Sequence, residues 1–419
     1  MREATLKYLV PESKIQAIYK YRSQRVLDLI KEHDLDFLYV WDYGNTRYAF
    51  DVMPRFHYES DNCFGYMISK DGLVSTFAND AFEESHPHSP GGIYDPAKPG
   101  SIWKADKWRS AGSESYLRSV PRRWARQVAE AIATNGGAKR IGVDAIPDLF
   151  AFQELQKLTP GIEYVGMGIH LAKKRMIKCP EEIQLMEEAC KVHNGILWDT
   201  MSEAKVGWQD FTMASKIAER FALEPSSMQH CLNLTYRYEP GSGIMGLTWT
   251  PVGRVYKEGD VISSDVGYMP FGGVTTDYGR CRILGETSAK IRDAYEWNIF
   301  NYHEIMTTIK PGQMISSMVE KFIDAHDRKG YPLVMLGHGI GTQMDEMPQM
   351  NPADKQDFDV PLEEGMVLCL EPTLIVDDEK YGYQQIWIED QWVVESGGLR
   401  RMAPLSYFDI DDKDLATSA

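Results

Sequence analysis

The 419-residue sequence lacks the features that mark several specialised classes of protein. It contains only 6 cysteines and no CxxC pair, which argues against a disulfide-stapled scaffold and favours reduced cytosolic thiols. No run reaches the ~18 apolar residues that a membrane helix needs. The first twenty residues are charged and contain no apolar stretch, so no secretory signal is expected. Together these absences predict a cytoplasmic protein.

Positive charge is also scarce. The chain carries 45 Lys+Arg against 61 Asp+Glu, a formal net charge of −16. This sign disfavours binding to phosphate backbones or anionic lipid, so neither a nucleic acid nor a membrane is expected as a partner. The HExxH, GxSxG and Walker motifs are absent from the sequence. Their absence disfavours the zinc peptidases, serine hydrolases and nucleotide-binding proteins that carry them.

The composition, with 43% hydrophobic and 25% charged residues, is that of an ordinary globular protein, and the length is enough for two or three domains. Residues 1–172 predict an α/β domain, because helical apolar spacing alternates with short apolar runs and a Lys70-Asp71-Gly72 turn. The predicted elements are helices at 12–33 and 120–134, strands at 37–40, 64–68, 73–77 and 140–144, and an irregular loop at 86–112.

A basic junction at 173–178 precedes a second predicted domain at 179–408. Pro180, followed by two glutamates, indicates the start of a long helix, since proline fits a first turn and acids favour the positive end of the helix dipole. The aspartate-rich residues 409–419 predict a solvated acidic tail.

The second domain contains a short internal repeat. Residues 258–265 and 364–371 both begin with a Glu-Gly turn, continue as a strand and end in a carboxylate, Asp265 in one copy and Glu371 in the other. A two-fold pairing of half-domains would bring these two acids to one place.

Three further residues join this pattern. Asp277 follows Asp265 across a glycine-rich turn, His338 lies among small residues in LGHGIG, and Glu389 interrupts an apolar strand. Each residue alone is more often structural. Several carboxylates buried together would repel unless protons or cations lay among them, and two divalent cations would balance four carboxylates.

The ordered series Asp…Asp…His…Glu…Glu lies in DVGYMPFGGVTTDYGR, GHGIGTQMDEMP, EEGMVLCLEPTL and IWIEDQWVV. It resembles the pita-bread metallopeptidase family of methionine aminopeptidase, aminopeptidase P and prolidase. The resemblance implies an α/β N-terminal domain followed by an α+β pita-bread (creatinase/aminopeptidase-like) catalytic domain. RMIKCPEEIQLMEEAC looks like the family's junction helix, and YGNTRYAF like its early strand region. It also implies that two divalent metal ions (Mn, Fe, Co or Zn) are held by five residues: Asp265, Asp277, His338, Glu371 and Glu389.

The resemblance implies further roles and a homodimer. Glu371 would act as general base and acid, and Arg280 would orient the site. In creatinases and prolidases the N-terminal domain of one subunit closes over the neighbour's active site. The aromatic residues of that domain are interpreted first as core and interface packing. The alternative is that they recognise the substrate. The candidate substrate-binding residues are Tyr43, Arg55, His57 and Trp249.

Three departures from the family's peptidases guide the functional prediction. The spacing from Asp265 to Asp277 is one residue longer than usual, and no histidine lies between His230 and His303, where peptidases place one. Asp345 stands where they carry a second histidine. Losing one donor that stabilises a tetrahedral intermediate typically costs ~10²–10³ in rate. The longer spacing and Asp345 look like the dimethylsulfoniopropionate lyase branch of the fold, in which an aspartate removes a proton.

The leading prediction is therefore a dinuclear-metal, non-peptidase enzyme that cleaves a small polar metabolite by C–N hydrolysis or β-elimination, with Asp345 or Glu371 as base. The alternative is an Xaa-Pro dipeptidase or aminopeptidase. A catalytically silent interaction module is a third reading, which retention of all five ligands disfavours.

Overall fold

The fold is taken from a computed structural model. It describes residues 10–51, 65–78, 104–110, 119–146, 148–224, 226–234, 237–238, 251, 253–270, 273–352, 359–410, 413 and 415. The chain divides into two compact units. The first comprises Met1–Arg175 with Phe271–Gly273, and the second Met176–Pro270 with Val274–Ala419. Across the described residues, no helix has the length and apolar character needed to cross a bilayer.

The first unit is built on one mixed sheet. Strands β1 and β2 and strands β2 and β3 pair antiparallel, whereas β3–β4, β1–β5 and β5–β6 are parallel, giving the order β4-β3-β2-β1-β5-β6. Its core packs around Trp124, whose indole N–H donates to the Tyr39 hydroxyl at 2.9 Å. The elements are α1 (Glu12–Glu32), β1 (Phe37–Val40), α2 (Tyr43–Phe50), β2 (Gly65–Ser69), β3 (Leu73–Ala78), β4 (Lys104–Ser110), α3 (Ser119–Thr134), β5 (Arg140–Val143), α4 (Leu149–Leu158), β6 (Glu163–Gly166) and α5 (Gly168–Met176).

Two local predictions in this unit are wrong. YGNTRYAF forms helix α2 rather than part of a strand region, because the Asp42 carboxylate caps it by accepting from the Asn45 N–H at 3.0 Å. The predicted loop at 86–112 contains strand β4, which pairs with β3 in parallel. The rest of that loop lies outside the described residues.

The second unit contains two sheets and the helices that cover them. One sheet has the order β10-β9-β7, and the other runs β12-β11-β13-β14-β8, with β15 paired to β13 and β16. The elements are α6 (Pro180–Glu203), α7 (Asp210–Ala222), β7 (Ser226–Leu234), β8 (Arg237–Tyr238), β9 (Val261–Pro270), β10 (Thr276–Ile283), α8 (Ala289–Thr307), α9 (Ile315–Lys329), β11 (Leu333–Gly339), β12 (Glu346–Met350), β13 (Val367–Asp378), β14 (Gly382–Trp387), β15 (Asp390–Glu395) and β16 (Gly398–Arg401).

Helix α8 fixes the middle of the long strand β13. The Asn298 amide donates to the carbonyl of Pro372 at 2.8 Å, and the Tyr302 hydroxyl donates to the carbonyl of Leu370 at 3.1 Å. These two contacts hold the backbone on both sides of Glu371. The helix therefore sets the position of one of the predicted site residues from outside the site.

Candidate metal centre

The β9–β10 hairpin brings the two aspartates together. Asp265 pairs with Gly279 and Asp277 pairs with Gly267, so the acids are diagonal neighbours on one face of the antiparallel pair. Both are buried. A Cβ on Gly279 would lie 3.1 Å from the Cβ of Glu389, so the glycine allows Glu389 to approach the aspartates closely.

The larger sheet supplies the histidine and a glutamate. His338 on β11 pairs with Cys369 on β13, and Glu371 follows two residues later on the same strand face. Gly337 has φ +145°, and a Cβ there would lie 2.1 Å from the Cys369 carbonyl oxygen, so only glycine fits beside the histidine.

Glu389 lies where the two sheets meet. Its backbone N–H donates to the carbonyl of Gly279 at 2.9 Å, which ties the end of β14 to β10. Ligand atoms of Asp265, Asp277 and Glu389 all lie within 4.8 Å of one another. Those of His338, Cys369 and Glu389 form a second such group. Glu389 therefore belongs to both clusters.

All four acids are buried, and two of them have oxygens without a hydrogen-bond partner among the described residues. Among the residues that the structure describes, neither carboxylate oxygen of Glu389 has a hydrogen-bond partner, and neither does Oδ1 of Asp277. Burial raises the pKa of Asp265, and burial followed by the neighbouring carboxylates raises the pKa of Asp277, Glu371 and Glu389 well above their ordinary values. Such a cluster needs either bound protons or cations.

The histidine points its lone pair into the same cluster. His338 Nδ1 lies 2.9 Å from the carbonyl oxygen of Gly339, which only accepts, so Nδ1 carries the proton in the neutral ring. Nε2 is then left 3.9 Å from Oδ2 of Asp277 and 3.7 Å from Oε1 of Glu371. A lone pair facing carboxylates is unfavourable unless a cation lies between them. The donor set therefore fits divalent metal ions that accept both oxygen and imidazole ligands.

Comparison with known proteins decides the family. The profile of metallopeptidase family M24 matches residues 184–396, just over half of the chain. The chain belongs to metallopeptidase family M24. It is a metal-dependent hydrolase of that family, and the predicted resemblance to the pita-bread metallopeptidases is confirmed.

Individual M24 relatives and solved structures agree. The chain is 22% identical over 272 residues to an Xaa-Pro dipeptidase of Pyrococcus horikoshii, covering 64% of this chain and 73% of that one. It is 24% identical over 234 residues to an Xaa-Pro dipeptidase of Pyrococcus furiosus, covering 54% and 63%. The crystal structure of the prolidase from P. horikoshii matches with a TM-score of 0.71 at 17% identity, covering 93% of this chain and 99% of that one. The structural likeness confirms the predicted two-part pita-bread fold.

These M24 relatives correct the leading functional prediction. A non-peptidase enzyme resembling dimethylsulfoniopropionate lyase was expected, but the relatives are Xaa-Pro dipeptidases and the structural neighbours are prolidases. That prediction is wrong, because it rested on one spacing, on two absent histidines and on Asp345. The Asp345 carboxylate does approach His338 Nε2, at 3.5 Å, but its side chain is 70% exposed, unlike the buried metal-ligand candidates.

Arg280 does not face the cluster of this M24 site. It alternates with Asp277 along β10, and its side chain is only 1% exposed. Its guanidinium donates to the carbonyls of Glu389 (2.5 Å) and Leu405 (2.7 Å) and to Oδ1 of Asp390 (2.6 Å). These contacts fix the backbone of Glu389. The role predicted for Arg280, that of orienting the site, agrees with them and stays a prediction.

We expect Arg280→Lys to weaken metal binding by about 10–100-fold, as is typical when a group that orients a ligand is changed. Lysine keeps the charge but cannot supply the fork of donors that the three acceptors require. Competition with a chelator measures the affinity. Arg282→Lys, on the same strand with its guanidinium on carbonyls of Met201, Ser202 and Ala204, is the control. Unchanged affinity in a folded Arg280→Lys protein would contradict the positioning role.

Of the four predicted substrate-binding residues, one lies among the described residues, and the substrate-binding role of all four stays a prediction. Tyr43 is buried within the first unit, where its ring lies 5.6 Å from the guanidinium carbon of Arg47. Trp249, Arg55 and His57 lie outside the described residues.

Sequence reasoning missed two groups near the metal-ligand candidates. The sequence predicts Cys369 only as a reduced thiol, although its place two residues before Glu371 on a strand indicates that the two side chains share a face. Lys178 and Glu346 form a buried ion pair at 2.9 Å, and their sequence separation of 168 residues gave no hint of it.

Proposed function

We propose that the protein is an Xaa-Pro dipeptidase that works with two divalent metal ions. The observation that carries the proposal is the buried group of Asp265, Asp277, His338, Glu371 and Glu389, whose carboxylate oxygens and imidazole nitrogen converge without enough donors of their own. The named activities of the relatives supply the substrate class. Mn, Fe, Co and Zn all accept such mixed oxygen and nitrogen ligands.

When bound, the ions would polarise the scissile carbonyl and lower the pKa of a coordinated water. Glu371 is the proton carrier in this proposal. Its carboxylate is buried beside His338. Helix α8 fixes the backbone on both sides of Glu371 through hydrogen bonds to the carbonyls of Leu370 and Pro372. The nitrogen of the scissile Xaa-Pro bond belongs to proline and carries no hydrogen, and it must gain a proton to leave as an amine. Glu371 takes one from the attacking water as the C–O bond forms and gives it to nitrogen as the C–N bond breaks.

Asp345 is proposed to bind the amino terminus of the dipeptide. Its carboxylate lies 3.5 Å from His338 Nε2 yet remains 70% exposed, so it can reach a substrate without a desolvation cost. An anion at that position suits an ammonium group and would oppose a developing oxyanion. In this proposal Asp345 therefore takes part in substrate recognition, and Glu371 carries the proton.

The test is hydrolysis of an Xaa-Pro panel by the metal-free protein reloaded with Mn, Fe, Co or Zn. We expect turnover of free Xaa-Pro dipeptides, weaker turnover of N-acetylated ones, and loss of at least about 10²-fold in Glu371→Gln. Exposed Glu219→Gln on α7 is the control. A fully metal-loaded protein that cleaves no Xaa-Pro peptide would overturn the proposal.

A homodimer is part of this proposal, since the family resemblance favours one subunit completing the neighbour's site. Light scattering on the purified protein tests it. A cytoplasmic setting is also proposed, and the buried free thiols Cys179, Cys190, Cys281 and Cys369 are consistent with it.

A further inference from the structure

A thiol lies among the metal-ligand candidates. The Sγ of Cys369 lies within 4.8 Å of a ring nitrogen of His338 and a carboxylate oxygen of Glu389. The residue is completely buried. The thiol donates a long hydrogen bond of 3.8 Å to the carbonyl of Asp277, which is weak even for sulfur.

The strands, rather than chance rotation of one side chain, place the sulfur there. Cys369 pairs with His338 across β11–β13 and with Gln391 across β13–β15, so it is fixed on two sides. It shares a strand face with Glu371. On the side of β10, it contacts the backbone of Asp277. The thiol is thus held by the strands that carry three of the metal-ligand candidates.

Glu389 gives a second, independent sign that this position takes a cation. Its side chain is 1% exposed, and among the described residues both of its oxygens lack a hydrogen-bond partner. Glu389 belongs to the group of possible ligands with His338 and Cys369 and also to the group with Asp265 and Asp277. A buried carboxylate with no donor, next to a thiol and an imidazole lone pair, is a set of metal ligands.

We propose that Cys369 is a ligand of one of the two ions and makes the centre chemically asymmetric. One position, formed by Asp265, Asp277 and Glu389, is all oxygen. The other adds the sulfur of Cys369 to the nitrogen of His338 and the oxygens of Glu371 and Glu389. The first suits hard ions such as Mn²⁺, and the second favours thiophilic ions such as Zn²⁺, Co²⁺ or Cd²⁺. Binding releases the thiol proton to solvent, and no electron is transferred.

This inference rests on the metal centre of the proposed function, and its test reads the metal directly. Metal-free protein is titrated with Co²⁺, and the near-ultraviolet sulfur-to-cobalt charge-transfer absorption is recorded with the bound metal content. We expect the band to appear in the wild type, to be absent in Cys369→Ser and to persist in Cys281→Ser, a buried thiol of the core in the same unit. Zn²⁺ affinity at one of the two sites should fall by roughly 10-fold or more in Cys369→Ser, with Mn²⁺ affinity at the other little changed.

The outcomes separate the two proposals. Two bound Co²⁺ ions without a charge-transfer band in the wild type would overturn the role of Cys369 and leave the dipeptidase proposal standing. A band that persists in folded Cys369→Ser would also overturn it. Failure to bind any ion would contradict the metal centre itself and Cys369 with it. The wild-type spectrum decides the question even if the variant folds poorly.

Discussion

Glu389→Gln is expected to abolish tight metal binding and to lower turnover by about 10³-fold or more. Glu389 is the one side chain that belongs to both ligand groups, so a single substitution weakens both metal positions. The Lewis-acid effect of a metal ion is worth several kcal/mol, which sets the magnitude. Metal content after desalting and Xaa-Pro hydrolysis are the measurements. In the wild type, added metal should raise the melting temperature by mass action, and this rise should be lost in the variant.

The same substitution should stabilise the metal-free protein. In the folded state, burial and the carboxylates of Asp277, Asp265 and Glu371 raise the pKa of Glu389 well above its ordinary value. A raised pKa means that the folded chain holds a proton that the unfolded chain has lost, so stability falls as pH rises above the unfolded glutamate pKa of about 4.3. Glutamine has no such proton. The stability advantage of Glu389→Gln should therefore be larger at pH 8 than at pH 5.

Exposed Glu395→Gln, on the adjoining strand β15, is the matched control and should change neither metal content nor the pH dependence. Chemical unfolding with and without a chelator, at the two pH values, measures these effects. If metal-free Glu389→Gln were less stable than the wild type at pH 8, the carboxylates would not repel one another in the way proposed.

Lys178→Met should lower the free energy of unfolding by about 3–5 kcal/mol, the usual effect of removing one partner of a buried ion pair. Lys178 Nζ lies 2.9 Å from Oε1 of Glu346 and donates to the carbonyl of Met176 at 3.2 Å, and both charged side chains are 1% exposed. Methionine leaves the Glu346 charge buried without this partner. Urea unfolding of the metal-free protein measures the loss.

The pair also supports the segment that carries His338 and Asp345. At Gly341 a Cβ would lie 2.3 Å from Oε1 of Glu346 and 2.9 Å from Cε of Lys178, so the pair fills the space beside this turn. Metal affinity should therefore fall along with stability in Lys178→Met.

The double variant Lys178→Met/Glu346→Gln should recover much of the lost stability, because it also removes the buried charge that has lost the Lys178 ammonium. Lys191→Met, which breaks an exposed pair with Glu188 on α6, is the control and should change stability by no more than about 0.5 kcal/mol. A double variant no more stable than Lys178→Met would show that the charge of Glu346 is not the source of the loss.

Local patterns predicted most of the regular elements that they covered. The hairpin around Lys70-Asp71-Gly72 and the helix beginning at Pro180 depend on turn and first-turn preferences that act within a few residues. Helix α2 was missed because its capping aspartate precedes a segment whose aromatic residues also suit a strand. The functional prediction failed because it depended on a few positions. It weighed two absent histidines and Asp345, whereas similarity to Xaa-Pro dipeptidases extends over more than half of the chain.

The sequence by itself determined which residue types are available for metal binding and in what order they occur. A carboxylate at the end of an apolar strand, as at Glu371, already carries a chemical demand, because burying its charge is costly without a partner. Only the tertiary structure decided which groups meet. The register of β13 puts Cys369 beside His338, the alternation of β10 turns Arg280 away from Asp277, and chain closure over 168 residues joins Lys178 to Glu346. These contacts depend on which strands become neighbours and on which face each side chain lies, and those are properties of the whole packed domain rather than of any short segment.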